Sequence, residues 1–153
     1  MDNIPVLAGV CLFHRSKMLL LKLVKDNYDN GKWGPPSGHG ENGETVLETA
    51  LRETREETNL DVKVSGIVQA AKLNISDGRE FLMVVYFAEV KDISKLKIDP
   101  KESSDYAWVN LNDIESGKYP IRSESFLGPI LIKAFKEKSL PLDSFIEYNF
   151  IHA

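Results

Sequence analysis

The chain has a single cysteine, Cys11, so no disulfide can close within it and nothing points to an oxidising compartment. Cys11 sits in an apolar run and reads as a small buried hydrophobe. No apolar run approaches the roughly 20 residues that a membrane helix needs, so no membrane partner is expected. The opening residues MDNIPVLAG have no basic segment ahead of their apolar stretch, and no signal peptide is expected. A cytoplasmic protein is the default expectation. Positive charge is also short: 19 Lys and Arg against 23 Asp and Glu give a net charge of -4 and a pI near 5.4. That balance argues against a surface made for nucleic-acid backbone, which requires a basic patch. It leaves room for a small anionic substrate held through a metal ion. Repeats, low-complexity tracts and linkers are missing, and 153 residues suit one domain over 1–153.

What is present is a core's worth of apolar residues, 42% of the chain. VLAGVCLF (6–13) reads as a mostly buried strand, with MLLLKLV (18–24) as its hairpin partner across HRSK. KDNYDNGKWGPPSGHGENGE (25–44) reads as loop. A helix is predicted over 45–58, opened by a Thr45/Glu48 capping box and closed by Asn59 in the left-handed conformation. Two strands follow, with Gly66 as a bulge and SDGR (76–79) as the turn between them. A second polar loop leads to the short strand YAWVN (106–110) and a short helix (111–117). A last helix is predicted over 125–138. The order β-β-loop-α-β-β-loop-β-α-α implies an α/β fold, a mixed β-sheet with helices packed on it.

On a wheel of about 100° per residue, Val46, Leu47, Ala50, Leu51, Thr54 and Thr58 share the core side of the first helix. Glu53, Glu56 and Glu57 share a separate face, while Glu48 and Arg55 point elsewhere. Like charges three and four residues apart cost roughly 0.2–0.5 kcal/mol per pair. Glu56 and Glu57 also stand near the helix C-terminus, where the dipole disfavours negative charge. Two local rules broken together tend to mark function. A divalent cation would resolve the conflict, because hard cations take clustered carboxylate oxygens. A solvated acidic face, or an acidic helix that contacts a basic partner, is the alternative reading. The loop WGPPSGHGENG enters this helix at its N-terminus, where carbonyls can complete a metal shell and amides can meet a phosphate.

These residues resemble the signature of the Nudix hydrolase family, to which MutT-like proteins belong. Gly38 precedes Glu44 by five intervening residues, and seven more separate Glu44 from the run Arg52-Glu53-Thr54-Arg55-Glu56-Glu57-Thr58-Asn59-Leu60. Every charged position fits. Thr54 stands where the pattern has a bulky apolar residue, and Asn59 where it has Gly. Trp33, Pro35 and Pro36 before the box, and Trp108-Val109 after it, extend the likeness over most of the chain. The resemblance implies a Nudix-type α/β/α sandwich that cleaves a diphosphate linkage with magnesium or manganese. By position, Glu53, Glu56 and Glu57 become metal ligands together with the Gly38 carbonyl. Arg52 orients a glutamate, and Glu44 is structural. A further acid from a loop is common in such proteins, and Glu102 fills that place as ligand or base, with Asp99 and Asp105 behind it. Ser103 and Ser104 would leave its loop mobile enough to close over a substrate. His39 is a candidate for phosphate contact. Trp33 and Tyr28 are candidates for stacking a base, and Arg15, Lys17, Lys22, Lys25 and Lys32 make the N-terminal hairpin region locally basic, either a solvated strand edge or an attraction for phosphates.

The first expected reaction is hydrolysis of a (deoxy)nucleoside triphosphate to the monophosphate and pyrophosphate. Family members cleaving ADP-ribose often carry a Pro soon after the box, and those cleaving diadenosine polyphosphates a Tyr; NISDGRE (74–80) has neither. ADP-ribose or nucleotide-sugar cleavage is the alternative, followed by action on RNA 5′ ends and by a non-catalytic nucleotide-binding module. SESFLGPI offers Ser123, Glu124 and Ser125, but Leu127 speaks against specificity for oxidised guanine. Either a monomer or a homodimer is compatible with the sequence.

Overall fold

Continuous apolar runs mark strands covered on both faces, and the first hairpin shows why. In β1 (Val6–His14), Ala8, Val10 and Leu12 join one buried cluster, while Cys11 and Phe13 join another. β2 (Lys17–Leu23) divides likewise, Leu19 and Leu21 on one side, Met18 and Leu20 on the other. Arg15 and Ser16 make the turn between them with φ of 48° and 65°, as a two-residue hairpin loop requires. The first cluster lies under α1 (Val46–Thr58) and holds Val46 and Ala50. The second lies under α2 (Leu111–Glu115) and α3 (Glu124–Lys136) and holds Ile114, Leu127, Ile130 and Leu131. The computed structural model describes residues 3–137 and 139–148.

The remaining strands are β3 (Trp33–Gly34), β4 (Ser37–His39), β5 (Val64–Asn74), β6 (Glu80–Glu89) and β7 (Ser103–Val109). Their order is β3-β2-β1-β6-β5, with β4 added to β1 and β7 to β2. β1 and β6 run parallel and the other pairs antiparallel. This is the mixed sheet between helices that the sequence implied. A register shift falls between Val64 and Gly66, as expected of a bulge there.

One detail of the pairing makes the site. β1 meets β2 at Phe13↔Met18 and His14↔Lys17, whereas its first half pairs with β4 at Leu7↔His39, Ala8↔Gly38 and Gly9↔Ser37. The sheet therefore forks. The end of β2, the start of β7 and the β4 segment surround the opening, and α1 closes one side of it.

Three expectations change. Two short strands, β3 and β4, form inside the expected loop 25–44; runs this short and rich in Gly and Pro carry no strand pattern. β7 begins at Ser103 rather than Tyr106, paired to β2 through Leu23↔Ser103. The Val24 amide donates to the Glu102 carbonyl at 2.9 Å, so the backbone there is tied to the sheet edge and not a mobile loop. The last helix ends at Lys136, and Lys138 lies outside the described residues.

Candidate active site

α1 is set by local rules. The Thr45 hydroxyl accepts from the Glu48 amide, and Glu48 returns a bond to the Thr45 amide, which completes the capping box. Asn59 closes the helix at φ 60°, its amide donating to the Arg55 carbonyl. Thr54 and Thr58, both buried, turn their hydroxyls onto the carbonyls of Ala50 and Thr54. A Thr at the box position for a bulky apolar residue thus leaves no unpaired polar atom in the core.

Arg52 organises the acidic face. Its Nε donates to Glu44 Oε2 at 2.6 Å and its Nη2 to Glu44 Oε1 at 3.1 Å, a bidentate pair. Nη2 also reaches the His39 carbonyl at 2.8 Å, and Nη1 bonds Glu53 at 3.0 Å and Glu56 at 3.2 Å. One guanidinium therefore ties the box loop to the helix. The hydrogen bonds from Arg52 hold the Glu44 carboxyl down to about 2. Glu44 also accepts from the Thr49 hydroxyl and the Glu41 amide.

The other carboxylates are pushed the opposite way. Glu57 rises to about 8, first because it is buried and next because Glu53 is near; Arg122 and the Ser37 amide, which donates at 3.2 Å, oppose the shift. Burial also raises Glu53, against the pull of Arg52, with Glu56 and Glu102 adding to the rise. Gly38 explains its own identity here. A Cβ on it would stand 2.3 Å from the Glu53 carboxyl carbon, so any side chain would displace the carboxylate.

These groups line one cavity of about 420 Å³. Glu53, Glu56, Glu57 and Glu102 meet there with Gly38, His39 and Arg52, so the structure brings together the residues that the box and its flank implied. Six carboxylates, with Glu41 and Asp99 included, face three basic side chains, Lys25, Arg52 and Arg122. Lys25 Nζ stands 3.9 Å from Glu102. A surplus of hard oxygen donors fits a divalent cation. Among the described residues, no three His, Cys, Asp or Glu side chains form a ready-made metal cage. Arg52 engages Glu53 and Glu56, and the Ser37 amide engages Glu57.

Trp33 is not brought to this cavity. It is buried, edge-on to Tyr119 with ring centroids 5.0 Å apart, and its amide donates to the Pro120 carbonyl. Tyr28 is exposed, with Lys32 over its ring. Arg122 and Ser37 were missed from the sequence. Arg122 donates to the Ser37 hydroxyl, and its backbone amide donates to the Trp33 carbonyl of β3 at 3.0 Å. The signal was Gly34, whose absent side chain leaves room for the Arg122 stem. Burial lowers Arg122, and Glu57 and Asp29 counter that. His39 is lowered by burial and then by Lys25, Arg122 and Arg79, which keeps its ring neutral near pH 7.

The family model for the NUDIX domain matches residues 4–127. The chain belongs to the NUDIX family. NUDIX enzymes generally use divalent metal ions. This NUDIX chain is 39% identical over 84 residues to mouse bis(5'-nucleosyl)-tetraphosphatase [asymmetrical], a match covering 53% of the chain and 57% of the mouse protein. It thus spans little more than half the length of that relative. It is 22% identical over 151 residues to phosphatase NudJ of Shigella boydii, covering 95% and 93%. In fold it is similar to a NUDIX hydrolase from Nitrosomonas europaea, with a TM-score of 0.78 at 21% identity over 95% of this chain and 98% of that one. Among the described residues no helix is long and apolar enough to cross a membrane.

Proposed function

We propose that this NUDIX chain, acting as a single domain over 1–153, hydrolyses a diphosphate linkage in a nucleoside diphosphate joined to a further group. The observation that carries the reading is the gathering of half-buried Glu57 and Glu53 in a cavity whose carboxylates outnumber its cations. Glu53, Glu56 and Glu57, with the Gly38 carbonyl and Glu102, are the residues that would hold magnesium or manganese. Such a cation, when bound, neutralises phosphate charge and makes water a nucleophile near neutral pH. The chain's own groups do the rest. Arg52 positions Glu53 and Glu56, and Glu44 fixes Arg52. Glu53 and Glu102 both line the cavity, and one of these carboxylates takes the proton that water loses. Lys25 and Arg122 supply positive charge to the phosphates, and neutral His39 can donate one hydrogen bond.

The first substrate class is a (deoxy)nucleoside triphosphate, cleaved to monophosphate and pyrophosphate. The likeness to a bis(5'-nucleosyl)-tetraphosphatase favours a second, the dinucleoside polyphosphates. A buried free thiol, Cys11, is in keeping with a cytoplasmic setting. The test is release of phosphate products from nucleoside triphosphates, dinucleotides and nucleotide sugars with magnesium, manganese or chelator. Cation-dependent cleavage of a nucleotide anhydride is expected. Turnover of none of the three classes with either metal would sink the reading.

A further inference from the structure

The acidic cavity continues into a second one, of about 200 Å³, that shares Ser37, Gly38, His39, Lys25 and Arg122 with it. Leu7, Met83, Val85 and Phe126 make the second cavity largely apolar, and Asp29 also lines it. Both hollows belong to the site already described. A different contact reaches that site from the other end of the sequence. Residues 139–148 lie beyond the 4–127 matched by the family model, and they return to the sheet and to α1. Leu140 pairs with Ile67 of β5 through two backbone bonds, at 2.8 and 2.9 Å. Gly66 permits the approach, since a Cβ on it would stand 2.7 Å from the Leu140 carbonyl oxygen. A 3₁₀ turn follows at Leu142–Ser144, and Phe145 packs against the cluster under α1. Leu142, Phe145 and Ile146 line a groove together with Thr45, Leu47 and Tyr86 at the start of that helix.

This docking sets one carboxylate on the helix start. Glu147 Oε1 accepts from the Val46 amide, the first donor of α1. The first amides of a helix have no partner within it, and the helix dipole favours an anion there. The capping box serves the Thr45 and Glu48 amides and leaves Val46 to Glu147. The charge of Glu147 is felt by Tyr86 as well, whose hydroxyl is pushed up to about 12 by burial and then by that carboxylate. Two residues before Val46 stands Glu44, which grips Arg52 with both oxygens, and Arg52 in turn bonds Glu53 and Glu56. The start of the helix and its acidic face are therefore joined through one network of bonds.

We propose that Glu147 is a positioning residue of the active site: it fixes the start of α1 and, through Glu44 and Arg52, holds Glu53 and Glu56 where a divalent cation meets them. The proposal rests on the reading of the acidic cavity as a cation site. A segment that only covered apolar surface would add stability without touching the Arg52 bonds.

The experiment compares the full-length wild type with Glu147→Ala, Glu147→Gln and Glu147→Asp. Hydrogen exchange at the Val46 amide and at Arg52 Nε–H is read by NMR without metal. Both are taken relative to the amide of Val84, in the core of β6, so that a global loss of stability cancels. The Kd for manganese is read by calorimetry, and kcat and KM are measured with a nucleoside triphosphate. In Glu147→Ala both exchange rates should rise at least about fivefold, and the Kd about threefold to tenfold, less than for a group bonded directly to a metal ligand. The kcat should fall while KM holds. Glu147→Gln keeps the accepting oxygen and should recover most of the protection and affinity. Glu147→Asp keeps the charge but withdraws the oxygen, and should resemble Glu147→Ala; this pair decides the matter if the alanine variant does not fold. A lower melting temperature with Arg52 exchange and manganese affinity unchanged overturns the proposal, since Glu147 would then only brace the fold. Failure of manganese to bind even the wild type, alongside Arg52 exchange that follows Glu147, would reject the cation reading and keep the link from Glu147 to Arg52.

Discussion

The acidic cavity and the apolar cavity share a wall, yet they are assembled in opposite ways. The acidic one takes most of its chemistry from one segment. Gly38, His39, Arg52, Glu53, Glu56 and Glu57 all fall within a loop and the helix that follows it, and Glu102 joins from the start of β7. The apolar one takes one to three residues each from β1, β6, α3 and the turn between β2 and β3. Chemistry held on one segment is set by fixed spacings and changes as a unit. Recognition gathered from several elements can vary one residue at a time without disturbing that unit. The comparison predicts that lesions in the acidic cavity act on turnover, while lesions in the apolar one act on substrate choice.

The largest effect should come from the half-buried carboxylates. Glu53→Gln and Glu57→Gln should each lower kcat at least about a hundredfold, some 2.7 kcal/mol of barrier, while circular dichroism stays native. Glu102→Gln, a more exposed group, should cost at least about tenfold. Glu48→Gln should be nearly silent, since Gln preserves the capping box and the side chain lies off the acidic cavity. A Glu48 variant as impaired as the Glu53 one would break the division between the helix faces. A smaller and mixed effect belongs to Arg122, which lines both cavities and bonds Ser37. Arg122→Gln should raise KM about tenfold and lower kcat by less, because it removes a proposed phosphate partner and only indirectly touches Glu57. A pure loss of kcat with KM unchanged would move Arg122 from recognition to chemistry.

The same contrast governs what could be read from the sequence. The helix was legible because its determinants are local: Thr45 and Glu48 three residues apart, Asn59 at the end, and an acidic stripe at helical spacing. The fold was legible because β1, β2 and β6 are apolar on both faces, which demands helices on both sides of the sheet. The fork between β2 and β4 was not. It depends on β1 changing partners partway along, and Ser37–His39 is too short to carry a strand pattern. Trp33 was ambiguous because an aromatic in a Gly- and Pro-rich loop can face in or out; its contact with Tyr119 is long-range. Arg122 in PIRSES reads as a solvated charge until α3 brings it over Gly34 and Ser37. Asp29, which lines the second cavity, lies in a turn full of Asp and Asn, where no local rule separates a plain turn-former from a cavity-lining residue.

The central claim is that the acidic cavity is made for a divalent cation, and the pH dependence of stability addresses it directly. Glu57 is pushed up from 4.5 to about 8 in the folded chain, chiefly by burial. Below about pH 4.5 it is protonated in both folded and unfolded states and contributes nothing. As pH rises toward about 8 the unfolded chain releases this proton and the folded one keeps it, so stability falls. Above about 8 the loss is complete, and at about 1.4 kcal/mol per unit it reaches a few kcal/mol in the metal-free protein. A cation replaces that proton, and its benefit therefore grows as pH rises through the same window. The measurement is the melting temperature of the wild type and of Glu57→Gln, at about pH 6 and about pH 9, with and without magnesium or manganese. For the wild type a rise with millimolar cation is expected, larger at the higher pH, because a ligand that binds only the folded state stabilises it by mass action. In Glu57→Gln the metal-free protein should lose less stability at high pH and gain little from the cation. No shift in the wild type up to roughly tens of millimolar of either metal, or an equal shift in both proteins, would contradict the account.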